Sequence, residues 1–269
     1  MDTFADYILD EKNLVSKVEI AYYLAKKTGI FFDKSVLFKT EIARQFIDYM
    51  KIDVDRNITL TACLLCNCKK VDNAQKLGKL QTYAIDGALY LSELGFEKRF
   101  CRICEEVNRY SGSSPRERES DILELADQFG GMLLSRPERI GLDAEEAIVL
   151  LEHRNLKNDY NRYLHTFLEY VAELNSVQVD ANVKTTPFKK LVKTFNETPD
   201  LKDFIKILAY EYAPEVNEQV AKRRKELSKT MLGIDSSNPN RALFSEETTK
   251  KIMAHIDQQN LAKVDSNGE

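Results

Sequence analysis

Apolar side chains recur every three or four residues along most of this chain, the spacing that places them on one face of an α-helix. Segments of alternating Val, Ile and Thr bounded by turn pairs, the usual pattern of β-strands, are missing from a sequence with only 10 Gly and 6 Pro in 269 residues. With 43% hydrophobic residues, a chain of this length can fill a sizeable core. The sequence therefore predicts an all-α protein with short loops.

Capping residues indicate where several helices begin and end. A first helix is expected over residues 4–28, ending at Gly29, because glycine adopts the left-handed conformation common after a helix C-terminus. The segment 58–68 is apolar nearly all round, so it should be buried on several sides at the centre of the fold. Further helix starts are predicted at Ser114-Pro115-Arg116-Glu117, at Asp143 with Glu146, and at Thr198-Pro199.

A polar segment divides the chain. The helical pattern weakens over residues 176–187, where SVQVDANVKTTP is typical of a linker. We predict a helical domain over residues 1–175, followed by a linker and a C-terminal helical extension over residues 176–269. The basic run at 222–225 is flanked by Glu218 and Glu226, which favours a solvated helix face.

Charge and hydropathy limit the expected surroundings. The net charge is -4, and the 30% charged residues are of interspersed sign, which gives no general attraction to nucleic acid or to an anionic membrane. No apolar run approaches the roughly 20 residues of a membrane span, and the first residues are acidic where a signal peptide is basic. A cytoplasmic location with reduced cysteines is therefore expected.

Several motifs follow one another in a recognisable order. The predicted central helix reads Leu64-Leu65-Cys66-Asn67-Cys68-Lys69-Lys70-Val71. After it come Lys76-Leu77-Gly78-Lys79-Leu80 with Tyr83 and Gly87, and then Ile122-Leu123-Glu124-Leu125-Ala126-Asp127 with Arg136-Pro137 downstream. Over about residues 38–171 this order resembles the HD-GYP family of bacterial cyclic di-GMP phosphodiesterases. The resemblance implies an HD-domain-like helical bundle.

Nearly all the metal ligands that the resemblance implies are replaced. The His-Asp pair of the family stands at Cys66 and Asn67, and Asp127 is the one ligand kept. The side chains of Phe38 and Val107, which stand at other ligand positions, have no lone pair, and Asn67 offers only a neutral oxygen. These residues therefore cannot hold the multinuclear metal site. We predict no metal, no cofactor and no catalytic residue, which makes the protein a pseudoenzyme. The other replaced ligand positions fall at about Phe38, Tyr83, Glu106, Val107 and Asn108.

Four residues are candidates for ligand binding: Lys70, Asp127, Arg109 and Arg136. A carboxylate in an inherited pocket is costly unless it is paired, so we expect Lys70 to lie within about 4 Å of Asp127. The alternative is that Lys70 holds a phosphate-bearing ligand. Arg109 and Arg136 could assist as anion donors, although an isolated Arg is more often a surface ion-pair partner.

The expected function is a binding or regulatory module in bacterial signalling. A protein partner is expected and a cyclic dinucleotide is possible, with no nucleic acid and no membrane among the partners. The alternative is a phosphohydrolase or metalloprotein with a rebuilt, cysteine-containing site formed by Cys66, Tyr83, Glu106, Asn108 and Asp127.

The cysteines leave a second alternative open. They form two groups, Cys63-x-x-Cys66-x-Cys68 and Cys101-x-x-Cys104, and paired C-x-x-C motifs are a zinc pattern. The 34 residues between Cys66 and Cys101 exceed the usual spacing, and both groups fall on predicted core helices. Core packing is therefore the favoured interpretation.

Overall fold

The regular elements of the protein are α-helices, as the apolar spacing predicts. The computed structural model describes residues 4–76, 82–108, 114–137, 139–155, 161–176 and 185–208, and within these ranges the only β-type pairing is isolated bridge residues. No helix in these ranges is both long and apolar enough to cross a lipid bilayer. The helices are α1 (Phe4–Asp10), α2 (Leu14–Thr28), α3 (Lys34–Met50), α4 (Arg56–Leu65), α5 (Lys70–Ala74), α6 (Tyr83–Glu93), α7 (Lys98–Glu105), α8 (Arg118–Leu133), α9 (Ala144–Asn155), α10 (Leu164–Ser176), α11 (Pro187–Glu197) and α12 (Leu201–Ile207).

Two predicted helix ends are confirmed by their capping geometry. Gly29 follows α2 with φ of 67°, and its N–H donates to the carbonyl of Ala25. Before α9, the N–H of Glu146 donates to Asp143 Oδ1 at 2.9 Å and the N–H of Asp143 donates to Glu146 Oε2 at 3.1 Å. These reciprocal bonds form a complete capping box.

Other predicted ends are wrong, for local reasons. Helix 4–28 is divided at Asn13, whose side chain accepts from the N–H of Ser16 and so starts α2. Ser114 does not begin α8, because Glu106 at the end of α7 accepts from the N–H of Glu117 at 2.7 Å and α8 starts only at Arg118. The predicted start at 198–199 moves to Leu201 in α12, since Asp200 accepts from the N–H of Lys202.

The core forms where α3, α4 and α8 pack against one another. α4 is enclosed on several sides, as expected, because it also contacts α1, α2 and α7. α9 and α10 cover α8 and α3 on another side. Their junction is filled by edge-on aromatic rings, with Phe167 5.0 Å from Phe46 and 5.3 Å from Phe129 between ring centroids.

Helices α11 and α12, which belong to the predicted C-terminal extension, join this same core. Phe188 on α11 is buried, with its ring 5.3 Å from that of Phe129 and 5.8 Å from that of Tyr170. Phe195 lies edge-on to Phe38 of α3 and to Phe204 of α12. Helix α11 itself was not predicted, because Thr186 and Pro187, its N-cap and first residue, were assigned to the linker. The extension is therefore part of the folded domain at least to Leu208.

We expect the two sides of the linker to stay together after cleavage. If a protease recognition sequence is inserted after residue 180 and cut, the C-terminal fragment should co-elute with the N-terminal one in size-exclusion chromatography. The buried rings of Phe188 and Phe204 hold it in place. The same insertion left uncut is the control. Separation of the fragments without denaturant would instead support an independent C-terminal arm.

Candidate functional site

The three central helices bring together the residues around Asp127. Asp127 lies on α8, Lys39 on α3, Asn67 in the turn that follows α4, and Lys70 at the start of α5. Gly130, one turn after Asp127, allows the close approach of α3, because a Cβ atom there would be 2.9 Å from Cγ of Lys39. We call these four residues, Lys39, Asn67, Lys70 and Asp127, the Asp127 cluster.

One carboxylate oxygen is the centre of the cluster. Oδ1 of Asp127 lies 2.6 Å from Nζ of Lys39, accepts a hydrogen bond of 3.1 Å from Nδ2 of Asn67, and lies 3.9 Å from Nζ of Lys70. The predicted proximity of Lys70 to Asp127 is therefore observed. Lys39, the nearer ammonium, was not predicted. Its only trace in the sequence is a cation among the apolar residues of α3, next to Phe38.

These cations keep Asp127 ionised. Burial alone would raise the pKa of Asp127, but the charges of Lys39 and Lys70 and the hydrogen bonds from Lys39 and Asn67 outweigh it and hold the pKa well below its usual range. The pKa of Lys70 is lowered by burial and by the positive charges of Lys39 and Arg136, while Asp127 opposes this shift. The cluster is thus an ion pair between Lys39 and Asp127, with Lys70 as a second cation farther from the carboxylate.

Two of the residues proposed for a rebuilt catalytic site lie beside Lys70. The ammonium of Lys70 is 5.3 Å from the ring centroid of Tyr83, and the Tyr83 phenol is hydrogen-bonded to the side chain of Asn108. Burial raises the pKa of Tyr83 well above its usual value. A neutral phenol and an amide can position a ligand, but they supply neither a base nor a nucleophile at neutral pH.

Glu106, a third member of that proposed set, has a structural role. It is fully buried at the end of α7, where it accepts from Nε of Arg102 at 2.8 Å and from the hydroxyl of Ser120 at 2.8 Å. With its bond from the N–H of Glu117, these contacts attach α7 to the start of α8. Glu106 is thus committed to holding this corner together.

Of the two candidate arginines, Arg136 lies within the described residues. Arg136 lies just after α8, is exposed, and pairs through its backbone with Arg139. Its positive charge contributes to the lowered pKa of Lys70. Arg109 lies outside the described residues.

The cysteines behave as core residues. All five are buried and free of disulfides. Burial raises the pKa of Cys66 well above its usual value and that of Cys68 to about 12, so these thiols stay protonated at neutral pH. Across the parts of the chain that the structure describes, no three His, Cys, Asp or Glu side chains are grouped so as to hold a metal ion. These findings favour core packing over a cysteine-ligated metal.

The Asp127 cluster is an arrangement of charged side chains beside neutral thiols. Its carboxylate is paired, its thiols are protonated, and its two lysines differ in how fully they are compensated. Comparisons with family models, with curated proteins and with solved structures gave no match. The proposals that follow therefore depend on the residues of the site and on the resemblance of the sequence.

Proposed function

We propose that this protein is a non-catalytic, HD-domain-like binding or regulatory module. The observation that carries the proposal is the ion pair of 2.6 Å between Lys39 and Asp127. By the resemblance to the HD-GYP family, Asp127 is the one metal ligand that this sequence keeps. An ammonium group beside it supplies the positive charge that a metal ion would otherwise provide, and it stabilises the inherited pocket without chemistry.

The properties of the neighbouring groups support this proposal over a rebuilt enzyme. A carboxylate whose pKa is held well below the usual range is a poor general base at neutral pH, and one that stays ionised cannot act as an acid. The thiol of Cys66 is protonated, because burial raises its pKa, and it is a poor nucleophile. Binding is therefore the function that these residues support best.

The proposed biological setting comes from the resemblance alone. A domain that keeps the shape of a cyclic di-GMP phosphodiesterase and loses its ligands is suited to bacterial signalling, as a module that docks a protein partner or senses a nucleotide. A cytoplasmic location is part of the same proposal. Fold likeness does not determine function, so the proposal is tested by its chemistry.

We expect no hydrolysis of cyclic di-GMP by the purified full-length chain in the presence of manganese, iron or magnesium. The reason is that Cys66, Asn67 and Tyr83 stand where the resemblance places metal ligands. Product formation is followed by liquid chromatography, and Asp127→Asn is the matched variant. Turnover by the original chain that Asp127→Asn abolishes would contradict the proposal, since only a contaminating enzyme would be indifferent to the variant.

A further inference from the structure

A groove lies between helix α11 and the loop that joins α8 to α9, and we call it the α11 groove. Its volume is about 470 Å³, in the range of clefts that bind ligands. None of the described residues that line it belongs to the Asp127 cluster, so the groove goes beyond the proposed function. Both sides contribute to its apolar floor: Leu133 and Leu142 from the two ends of the loop, and Phe188 and Val192 from α11.

The loop side of the α11 groove is fixed by its own backbone. Arg136 and Arg139 exchange two backbone hydrogen bonds, of 2.8 and 3.0 Å. A Cβ atom on Gly141, which lines the groove, would be 2.2 Å from the carbonyl oxygen of Leu133, so this close approach requires glycine. The neighbouring residue, Ile140, is 85% exposed and adds apolar surface to the loop. Because the loop is already ordered, little conformational entropy is lost when a ligand packs against it.

The helix side of the α11 groove is positively charged. Helix α11 contains three lysines and one acid, Glu197, in a chain whose net charge is -4. Lys189 and Lys193 lie one helical turn apart in the lining of the groove, and both are exposed. Lys193 is 3.8 Å from Glu197, but the two side chains are 68% and 65% exposed, so this ion pair contributes little and exchanges readily. Asp143, an acid on the loop side, is bound to the N–H of Glu146 in the capping box. The groove thus offers an apolar floor beside two exposed ammonium groups.

From these observations we infer that the α11 groove binds a C-terminal segment of the same chain, residues 243–247, which read LFSEE and lie outside the described residues. Within residues 209–269, this is the one place where two adjacent large apolar residues are followed within three positions by two acids. The apolar pair of the segment matches the apolar floor of the groove. The two acids match Lys189 and Lys193 in number and are opposite in sign.

The connection to the segment is long enough for binding within one chain. Residues 209–242 follow Leu208, the last described residue, and a connection of this length can reach up to about 100 Å. A domain of about 200 residues has a radius of gyration of only about 16 Å. A tethered segment has an effective concentration of up to about the millimolar range, which favours docking on its own domain over docking on a second copy.

A tryptophan reporter tests this inference in the full-length chain. The sequence contains no tryptophan, so Phe244→Trp places a single indole in the segment. We expect the emission of the folded variant to be blue-shifted and weakly quenched by acrylamide, relative to the same variant in urea, because the indole packs on the apolar floor. Lys189→Glu with Lys193→Glu should lower the docking equilibrium constant about tenfold, since two attractive contacts become repulsive. The constant is measured from the fraction of the indole that acrylamide reaches.

A charge exchange and a matched control make the test specific. Glu246→Lys with Glu247→Lys, added to the two groove substitutions, should restore the protection of the indole, because the ion pairs form again with reversed sign. Lys26→Glu with Lys27→Glu makes the same change of charge at exposed positions on α2 and should change the docking constant less than about twofold. Circular dichroism verifies that each variant is folded.

Three outcomes would contradict docking of the segment within one chain. An indole that acrylamide reaches as easily in the folded chain as in urea would overturn the inference. Protection that persists in the groove variant, or that the reversed charges do not restore, would overturn it as well, because the segment would then pack elsewhere. Protection that grows with protein concentration, together with a dimer in size-exclusion chromatography, would assign the segment to the groove of a second copy and overturn docking within one chain.

Discussion

Replacing Asp127 with Ala is expected to lower the free energy of unfolding by about 3 kcal/mol, because the largely buried ammonium groups of Lys39 and Lys70 lose the carboxylate that both of them contact. The side chains of Lys39 and Asp127 are 9% and 20% exposed, so solvent compensates little for the lost pair. Urea denaturation at pH 7 measures the effect. A loss below about 1 kcal/mol, the range of surface ion pairs, would contradict this account.

Double-mutant cycles can divide this energy between the two lysines. Lys39→Met with Asp127→Leu should cost less than Asp127→Ala alone, because the most buried ammonium is removed together with the carboxylate and only Lys70 loses a partner. The coupling of Asp127 to Lys39 should exceed its coupling to Lys70, since the distances are 2.6 Å and 3.9 Å. Equal couplings would mean that the shorter contact has no special role.

The acid limit of this contribution follows from the direction of the pKa shift. The pKa of Asp127 is depressed in the folded protein, so its stabilising effect is fully present above the usual Asp pKa of about 4. It is lost as the pH falls below that value toward the folded pKa. The free energy of unfolding should therefore depend on pH differently in Asp127→Asn and in the original chain below about pH 4. Above that pH the two curves should run parallel.

The sequence predicted the parts of the fold that depend on local chemistry. Gly29 ends α2 and the Asp143–Glu146 box begins α9 because each needs only residues close in sequence. The predicted start of α8 was wrong because the residue before the helix, Glu117, is held by Glu106 at the end of α7, which accepts from its N–H. Helix α11 was missed because its stability depends on burying Phe188 in a distant aromatic cluster.

The same difference between local signals and distant contacts applies to the candidate site. Lys70 and Asp127 were predicted from a motif frame, and they lie 3.9 Å apart. Lys39 was missed because its contact spans 88 residues and depends on the close approach allowed by Gly130. A buried cation in an otherwise apolar helix segment indicates that some partner exists, but it does not identify that partner.

A second buried lysine has no ion-pair partner among the residues that the structure describes, and it should make stability depend on pH. Lys17 on α2 is 1% exposed, and its Nζ donates to the carbonyl of Ile8 and, at 2.6 Å, to the hydroxyl of Thr61. It thereby ties α1 to α4. Among the described residues no carboxylate lies within ion-pair distance of its Nζ. The charged groups that act on it more remotely are Glu11, Asp55, Asp10 and Arg56.

Burial lowers the pKa of Lys17 to about 7, and the three acids only partly oppose this. In the unfolded chain the usual value of about 10.4 applies, so between these limits the unfolded state binds the extra proton. Stability must then rise with pH from about 7 upward, while below that pH Lys17 adds no pH dependence because it is protonated in both states. Over pH 7 to 8.5 the rise should be about 2 kcal/mol.

Lys17→Met should remove that rise. The variant loses two hydrogen bonds but also an ammonium that is costly to bury, and the Thr61 hydroxyl keeps its bond to the carbonyl of Asn57. The measurement is the difference in unfolding free energy between the original chain and the variant at pH 6.5, 7, 7.5, 8 and 8.5. Using this difference cancels the thiols, which ionise in both unfolded chains above about pH 8.5. Lys26→Met, at an exposed site on the same helix, is the matched control for the loss of one positive charge. A difference for Lys17→Met that does not change with pH would mean that Lys17 stays charged in the fold, with water or a displaced acid at its ammonium group.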